Sequence, residues 1–395
     1  MAKPKLALVP SAQGSKFYSV LPSSGVGDFT FSRSGSATRI NSQGLIETVG
    51  NGVSRLNYPL IDGKVVGCPH HILEPQRTNL VTYSEDFSQW SLAGGSSISS
   101  NQSISPDGTL NADNVSSGEV YVSGVGSSGN TYTFSCYYKG NAGETFVQNV
   151  YDGSNHNRFT RTFNGQWQRF SITVTLTNSG IFYLVDDRTG GNSSSFSVWG
   201  AQLEQGSFTT SYILTNGSSV TRSAETATGS GDASTFNDSE GVLMAEISAL
   251  ANSDTTNPNR GLGISSGSTN NTIFIYYQGT LNKLSCIIVS DGIVQFSSST
   301  TLFNVDYYLK IGLKYKQNDF ALWVNGVEAL TDTSGNTPVG LNELAFDNGA
   351  GLDNFYGNTK QIQYYDSALT DSELETLTSW VSFSDMANGQ LYTIQ

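Results

Sequence analysis

Basic residues are scarce in this chain, and that shortage excludes more than any motif does. Twenty Lys and Arg stand against 33 Asp and Glu, for a formal net charge of -13. Such a surface repels a phosphate backbone, whose binding draws its affinity from cations that replace counterions, so no nucleic-acid partner is expected. Long apolar runs are missing as well. Nothing approaches the roughly 18 consecutive apolar residues of a membrane helix, so no membrane insertion is expected. The apolar run in the opening MAKPKLALVPSAQG is interrupted too early for a signal peptide, which points to folding in a cytoplasm. The three cysteines, Cys68, Cys136 and Cys286, lie at spacings that suit neither a disulfide framework nor a zinc site, and reduced thiols are expected. The three histidines, His70, His71 and His156, sit in no recognisable nucleophile motif.

What the chain has in quantity is glycine, 42 residues of 395, with abundant Ser, Thr and Asn. That composition suits many short strands joined by tight turns, and the length suits two or three domains. The expected fold is all-β: an N-terminal arm with short strands over 1–79, then two β-sandwich (jelly-roll) domains over 80–225 and 226–395. In the arm, FTFSRSGSATRI places Phe29, Phe31 and Arg33 on one side of a stretch too short to make a core alone. In the middle region Tyr132, Phe134, Cys136 and Tyr138 alternate, as do Phe170, Ile172, Val174 and Leu176. SFSVWGAQLEQ reads as Phe196 and Val198 on one face, with Trp199, Ala201 and Leu203 on the other. A Gly, Ser and Thr-rich stretch then marks a boundary near residue 225. Further on, Asn325-Gly326 between two apolar runs predicts a type I′ hairpin, with Trp323 half-buried. ALTDSELETLTSW predicts one short helix, with Thr370 as N-cap, Glu373 completing a capping box, and Leu374 and Leu377 on a shared face.

Several stretches resemble a family of modular phage virion proteins, tail or head-fibre components. DFTFSRSGSATRINSQGLIE and LEPQRTNLVTYSEDFSQW resemble its N-terminal signature. WGAQLEQGSFTTSYILTNGSSVTRSAE is similar to the end of a carbohydrate-binding-module-like jelly roll. The segment from GVLMAEISAL to LTDSELETLTSW, including DFALWVNGVEAL and LNELAFDNGAG, is similar to a laminin-G or concanavalin-A-like lectin sandwich. The resemblance implies a virion appendage, assembled in the host cytoplasm, whose arm docks on other virion proteins and whose sandwiches contact host or environmental glycans. Threefold fibres are common in such families, and the arm is too short to bury Phe17, Phe29, Phe31 and Leu45 by itself, so a homotrimer is expected. The alternatives are a glycan-degrading enzyme and a structural spacer with no ligand.

Candidate chemistry is sparse. Sugar binding asks for an aromatic face beside amide or carboxylate groups, and Tyr151, Trp167 and Tyr356 are the candidates carried forward, among Trp90, Tyr183 and Trp323. No cofactor is required, but Asp347, Asn348, Asp353 and Asn354 on DNGAGLDN offer hard oxygen donors for calcium, as laminin-G-like relatives often bind, and are equally ordinary turn formers. With that loop near Tyr356, the C-terminal sandwich is the expected recognition module. Cys68-Pro69-His70-His71 offers soft metal ligands at poor spacing and reads instead as a buried Cys beside a turn. Glycoside hydrolysis needs two facing carboxylates, and Asp186-Asp187, Glu85-Asp86 or Asp347 with Asp353 are weak candidates because neighbours on a strand diverge. No catalytic residue, and no enzyme, is expected. Glu74, Arg77 and Asn79, where arm meets sandwich, read as a structural joint, with Phe87 and Trp90 closing over the sandwich edge.

Overall fold

The computed structural model describes residues 3–252, 259–279, 282–301 and 304–379. As expected, the fold is all-β: two sandwiches and one α-helix among the described residues.

In the middle sandwich, the alternating residues of Thr131–Lys139 and Gln168–Thr175 point into one core with Phe182, Leu184 and Val198. Phe87 and Trp90 belong to that core rather than lying over its edge. One sheet, here the outer sheet, runs in the order Ser91–Ala93, Glu119–Val125, Gly180–Asp186, Thr145–Tyr151, His156–Thr162. The other, the inner sheet, runs Ile98–Ile104, Leu110–Ser116, Ser195–Gln205, Thr131–Lys139, Gln168–Thr175. Strand Ser195–Gln205 departs from simple alternation. Ser135 faces Gln202 but Tyr137 faces Trp199, so an extra residue is inserted, and Gly200 takes φ 65 there. This bulge returns Ala201 and Leu203 to the core side with Phe196 and Val198, which corrects their expected pairing with Trp199. Trp199 alone is left on the far face, against Tyr212 and Tyr137.

In the larger sandwich, the segment expected as an N-terminal arm in need of a neighbour pairs with the C-terminal strands. Strand Leu6–Gln13 pairs antiparallel with Gly357–Tyr365, bringing Leu6 opposite Tyr364 and Leu8 opposite Ile362. Lys16–Leu21, Phe29–Ser32 and Thr226–Thr228 extend the same sheet. Phe17, Phe29 and Phe31 are therefore buried in one core with Leu243, Ile275 and Tyr277. The chain's own C-terminal half, not a second copy, covers these rings, which removes the burial premise of the trimer. The middle sandwich leaves and rejoins this body through adjacent strands, Arg77–Asn79 and Val220–Arg222, which pair antiparallel. It is an insertion into the larger sandwich.

The hairpin forms as expected, with Val324 opposite Val327 and positive φ at both Asn325 (50) and Gly326 (82). A Cβ on Gly326 would lie 3.0 Å from the Ser379 Cβ. Gly326→Ala is expected to destabilise the protein by about 1 kcal/mol, measured by chemical denaturation, because an L side chain is strained at this φ. The helix Asp371–Ser379 carries the capping box: Thr370 N–H donates to Glu373 Oε2 at 3.1 Å. Trp380, at the end of the expected helix, lies outside the described residues. Leu374 and Leu377 pack with Trp323 and Tyr365, so Trp323 is buried rather than half-buried.

Candidate functional site

The exposed face of the outer sheet gathers aromatic, amide, imidazole and guanidinium groups from four strands. Residues alternate along each strand, so while Val120, Val150 and Phe182 fill the core, their neighbours line the other side. Register sets Tyr121 opposite Tyr183, Tyr183 opposite Asn149, and Asn149 opposite Arg158. At the spacing of adjacent strands this row spans roughly 14 Å. One step along, Tyr151 is opposite His156. The Tyr121 and Tyr183 rings lie 5.1 Å apart, those of Tyr151 and His156 4.8 Å apart, and Arg188 sits over Tyr183 at 5.2 Å.

Beneath these groups Asp186 organises the charges. It is fully buried, and accepts from Arg188 Nε at 2.7 Å, Arg158 Nε at 3.0 Å and Asn149 Nδ2 at 2.7 Å. Burial alone would raise its pKa, but the hydrogen bonds and charges of Arg188 and Arg158 outweigh it and leave the carboxyl below its ordinary value. Arg188 also pairs with Glu119 at 3.3 Å. Because a carboxylate only accepts, the Asn149 amide must turn its nitrogen to Asp186, and that nitrogen also donates to His156 Nδ1 at 2.9 Å. The His156 proton is thereby placed on Nε2. Burial, then Arg158 and Arg188, lower the imidazole pKa. Asn149 Oδ1 is buried without a hydrogen-bond partner. The face thus presents the rings of Tyr121 and Tyr151, an N–H donor on His156 and two arginines above a buried layer of Tyr183, Asn149 and Asp186, with Arg158 and Arg188 paired to Asp186 and Glu119.

Of the residues singled out in the sequence, Tyr151 lies on this face, its hydroxyl donating to the Gly153 carbonyl at 3.0 Å. Trp167 is elsewhere, half-buried at the margin of the inner sheet, its Nε1 donating to the Ile104 carbonyl at 3.0 Å. Tyr356 is buried. In the 347–354 loop the oxygens cap the loop's own backbone. Asp347 accepts from Gly349 N at 2.6 Å, and Asn348 Oδ1 accepts from Ala350 N at 3.0 Å. Asn348 turns its nitrogen, not its oxygen, to Asp353 (3.0 Å), while Asn354 donates to the Gly351 carbonyl (3.4 Å). Burial raises the Asp347 pKa. These donors do not fit a calcium shell as arranged, and among the described residues no three His, Cys, Asp or Glu side chains converge on a metal position.

Cys68 is exposed, which corrects its expected burial. The two histidines after it are buried instead, with His71 stacked on Phe17 at 4.0 Å. Glu85 accepts from the Tyr212 hydroxyl at 2.8 Å, while Asp86 caps the Ser88 N–H at 3.1 Å, so the pair is divided between local duties.

The cluster Glu74, Arg77 and Asn79 sits where the chain crosses into the middle sandwich. Glu74 pairs with Arg55 at 2.7 Å and Arg222 at 2.9 Å, and accepts from the Ser211 N–H at 2.7 Å. Arg55 also pairs with Glu225, which holds Arg33 at 2.8 Å. All five of these charged residues are buried. Asn79 donates to the carbonyls of Ala201 and Ile213 and accepts from the N–H groups of Val81 and Leu203. Arg77 lies over Phe208 at 5.0 Å. Sequence reasoning found Glu74 but missed Arg55, Arg222 and Glu225. On the outer face it missed Tyr121, Asn149, His156, Arg158 and Arg188, although EVYVSGV, TFVQNVY and HNRFTRT each show polar or aromatic residues alternating with other positions.

No family model matches this chain, and no curated protein matches it. Solved structures similar to it include the carbohydrate-binding module of the Ruminococcus gnavus IT-sialidase bound to α2,3-sialyllactose, at 16% identity and a TM-score of 0.31, covering 38% of this chain and 92% of that one. The NanB sialidase of Streptococcus pneumoniae is similar at 17% identity and a TM-score of 0.31, covering 37% of this chain and 25% of that one. The Trypanosoma rangeli sialidase follows at 15% identity and a TM-score of 0.30, covering 39% and 26%.

Proposed function

We propose that this chain is a glycan-contacting protein that holds a neutral oligosaccharide on the outer face of its middle sandwich, as part of a phage virion appendage. The observation that carries the glycan reading is the row Tyr121, Tyr183, Asn149, Arg158 with Tyr151 and His156 beside it. Tyr183 and Asn149 form its buried floor, while Tyr121, Tyr151, His156 and Arg158 reach the surface and offer ring faces and directional polar groups on rigid strands, the two things a pyranose chain needs. The two arginines are paired with Asp186 and Glu119, and Asp187 adds a further carboxylate at the end of the face, so no uncompensated positive charge remains for an acidic sugar to neutralise. The site therefore replaces the C-terminal loop as the favoured recognition surface. The virion setting rests on the sequence resemblance alone, as do the threefold assembly and the docking on other virion proteins. Mass spectrometry of purified particles tests the first and light scattering the second.

The glycan reading is tested on an array of neutral and acidic oligosaccharides, with the full chain and its Tyr121→Ala and His156→Ala variants. Binding to a neutral oligosaccharide is expected, weakened at least tenfold in each variant with thermal stability nearly unchanged, since both side chains reach the surface. Retention of full binding by both variants would move the site elsewhere, and silence of the whole array would favour a spacer.

A hydrolytic reading has one observation in its favour. Burial raises the Asp187 carboxyl to about 6, beside the ionised Asp186 at the end of this face, and unequal carboxyl pairs serve acid and base roles in glycosidases. The Asp186 oxygens are already taken by Arg158, Arg188 and Asn149, which leaves no free nucleophile or base. No release of reducing sugar from a bound oligosaccharide is expected.

A further inference from the structure

A cavity lies where the N-terminal segment, the middle sandwich and the C-terminal sandwich meet. It has a volume of about 330 Å³, and its wall combines apolar side chains, Ile40, Ile72 and Leu250, with Tyr137, Arg169 and Asn358. Cavities at such seams are where small ligands most often bind.

The charges around it do not cancel. Arg39 pairs with Glu47 at 2.6 Å, and Glu74 is neutralised by Arg55 and Arg222. Burial, with Lys360 adding to it, lowers the His70 pKa to about 4, so that ring is neutral at pH 7. Arg169 remains. Among the described residues its hydrogen bonds go to neutral groups, the Thr210 carbonyl at 2.6 Å and Ser135 Oγ at 3.0 Å, and its guanidinium lies over the Tyr137 ring at 5.3 Å. Its Nε is shut off from solvent with no acceptor. A half-buried cation with no ion-pair partner is unfavourable, and a ligand that brings a negative charge to the guanidinium edge facing the cavity relieves it, while the enclosed Nε stays beyond its reach.

We propose that this cavity binds a small organic carboxylate with an apolar body, its carboxylate on Arg169 and its body against Tyr137 and the aliphatic wall. One uncompensated guanidinium matches a monoanion. A phosphate, with a charge of about -1.5 to -2, would bury excess negative charge there. Carboxylate geometry also matches the planar fork of an arginine. Because the cavity is walled by all three parts of the chain, an occupant also clamps the middle sandwich to the larger body. This site is separate from the outer face and stands whether or not that face binds glycans.

The test uses the full chain and calorimetric titration with 4-hydroxybenzoate, 4-hydroxybenzamide and inorganic phosphate. Saturable binding of the benzoate is expected, at least tenfold tighter than the isosteric neutral amide, since a charge-assisted hydrogen bond is at stake. Arg169→Gln is expected to abolish that preference, while His156→Ala on the outer face leaves it unchanged. Equal binding of acid and amide, stronger binding of phosphate, or an undiminished preference in Arg169→Gln would overturn the proposal, as would no binding at all. Should Arg169→Gln fail to fold, the acid-over-amide ratio in the unaltered protein, together with its persistence in His156→Ala, decides.

Discussion

Glu225→Ala is expected to lower the folding free energy by about 3–5 kcal/mol, measured by equilibrium denaturation, because it strips Arg33 and Arg55 of a partner inside a buried network. The two arginines come from the N-terminal segment and Glu225 from the strand region just after the middle sandwich returns. Glu225 also accepts the Glu74 backbone N–H at 2.8 Å, so the loss reaches the crossing chain itself. The cost comes from leaving charge buried without compensation, not from the attraction between the ions, which burial largely offsets. A loss below about 1 kcal/mol, the range of surface pairs, would show that the arginines find other partners. The same network sets an acid limit. Burial alone would raise the Glu74 pKa, but Arg222 and Arg55 outweigh it and hold the carboxyl at about 2. The unfolded value is about 4.3, so the stabilisation is complete above that pH and is lost as pH falls from there through about 2. A denaturation midpoint unchanged over that interval would contradict this assignment.

Asp186→Ala is expected to abolish detectable glycan binding on the outer face. Asp186 touches no ligand in this reading and acts as a positioning residue, for it orients Arg158, Arg188 and the Asn149 amide, and through that amide the His156 ring. Arg158 and Arg188 both reach solvent, so the stability loss should be about 2 kcal/mol, less than for a fully enclosed pair. Asp186→Asn keeps an acceptor and the shape, and should recover part of the binding. The His156 resonances in NMR separate positioning from general unfolding: in Asp186→Ala the ring's pH titration should shift while core resonances persist. Full binding by Asp186→Ala would remove the network from the site.

The regular strands were the legible part of this fold. Tyr132, Phe134, Cys136 and Tyr138 could be placed on one face from their spacing because side chains alternate on any strand, and Asn325-Gly326 specified its hairpin because few other residues accept two successive positive φ values. The Gly200 bulge was not legible, because a single inserted residue reverses the faces after it and one glycine among 42 does not mark where. Glu74 drew notice as a carboxylate near Arg77, yet its partners are Arg55, 19 positions before it, and Arg222, which lies beyond the whole inserted sandwich. Tyr151 was singled out and lies on the outer face, whereas Trp167 looked equally suitable and packs beside the other sheet.

What the sequence by itself determined is therefore local: an all-β chain, its acidic surface, the alternation of its strands, the Asn325-Gly326 turn and the Thr370 cap. These follow from forces that act between near neighbours, namely steric limits on φ, the two-residue repeat of a strand and short-range capping bonds. Only the tertiary structure decided that Leu6–Gln13 completes the sheet of Gly357–Tyr365, that the middle sandwich is inserted between paired strands, and that Tyr121, Asn149, His156 and Arg158 share one face. Strand order is chosen by which edges and apolar faces remain unsatisfied once all strands exist, so it depends on the whole chain at once, and a site assembled across four strands inherits that dependence.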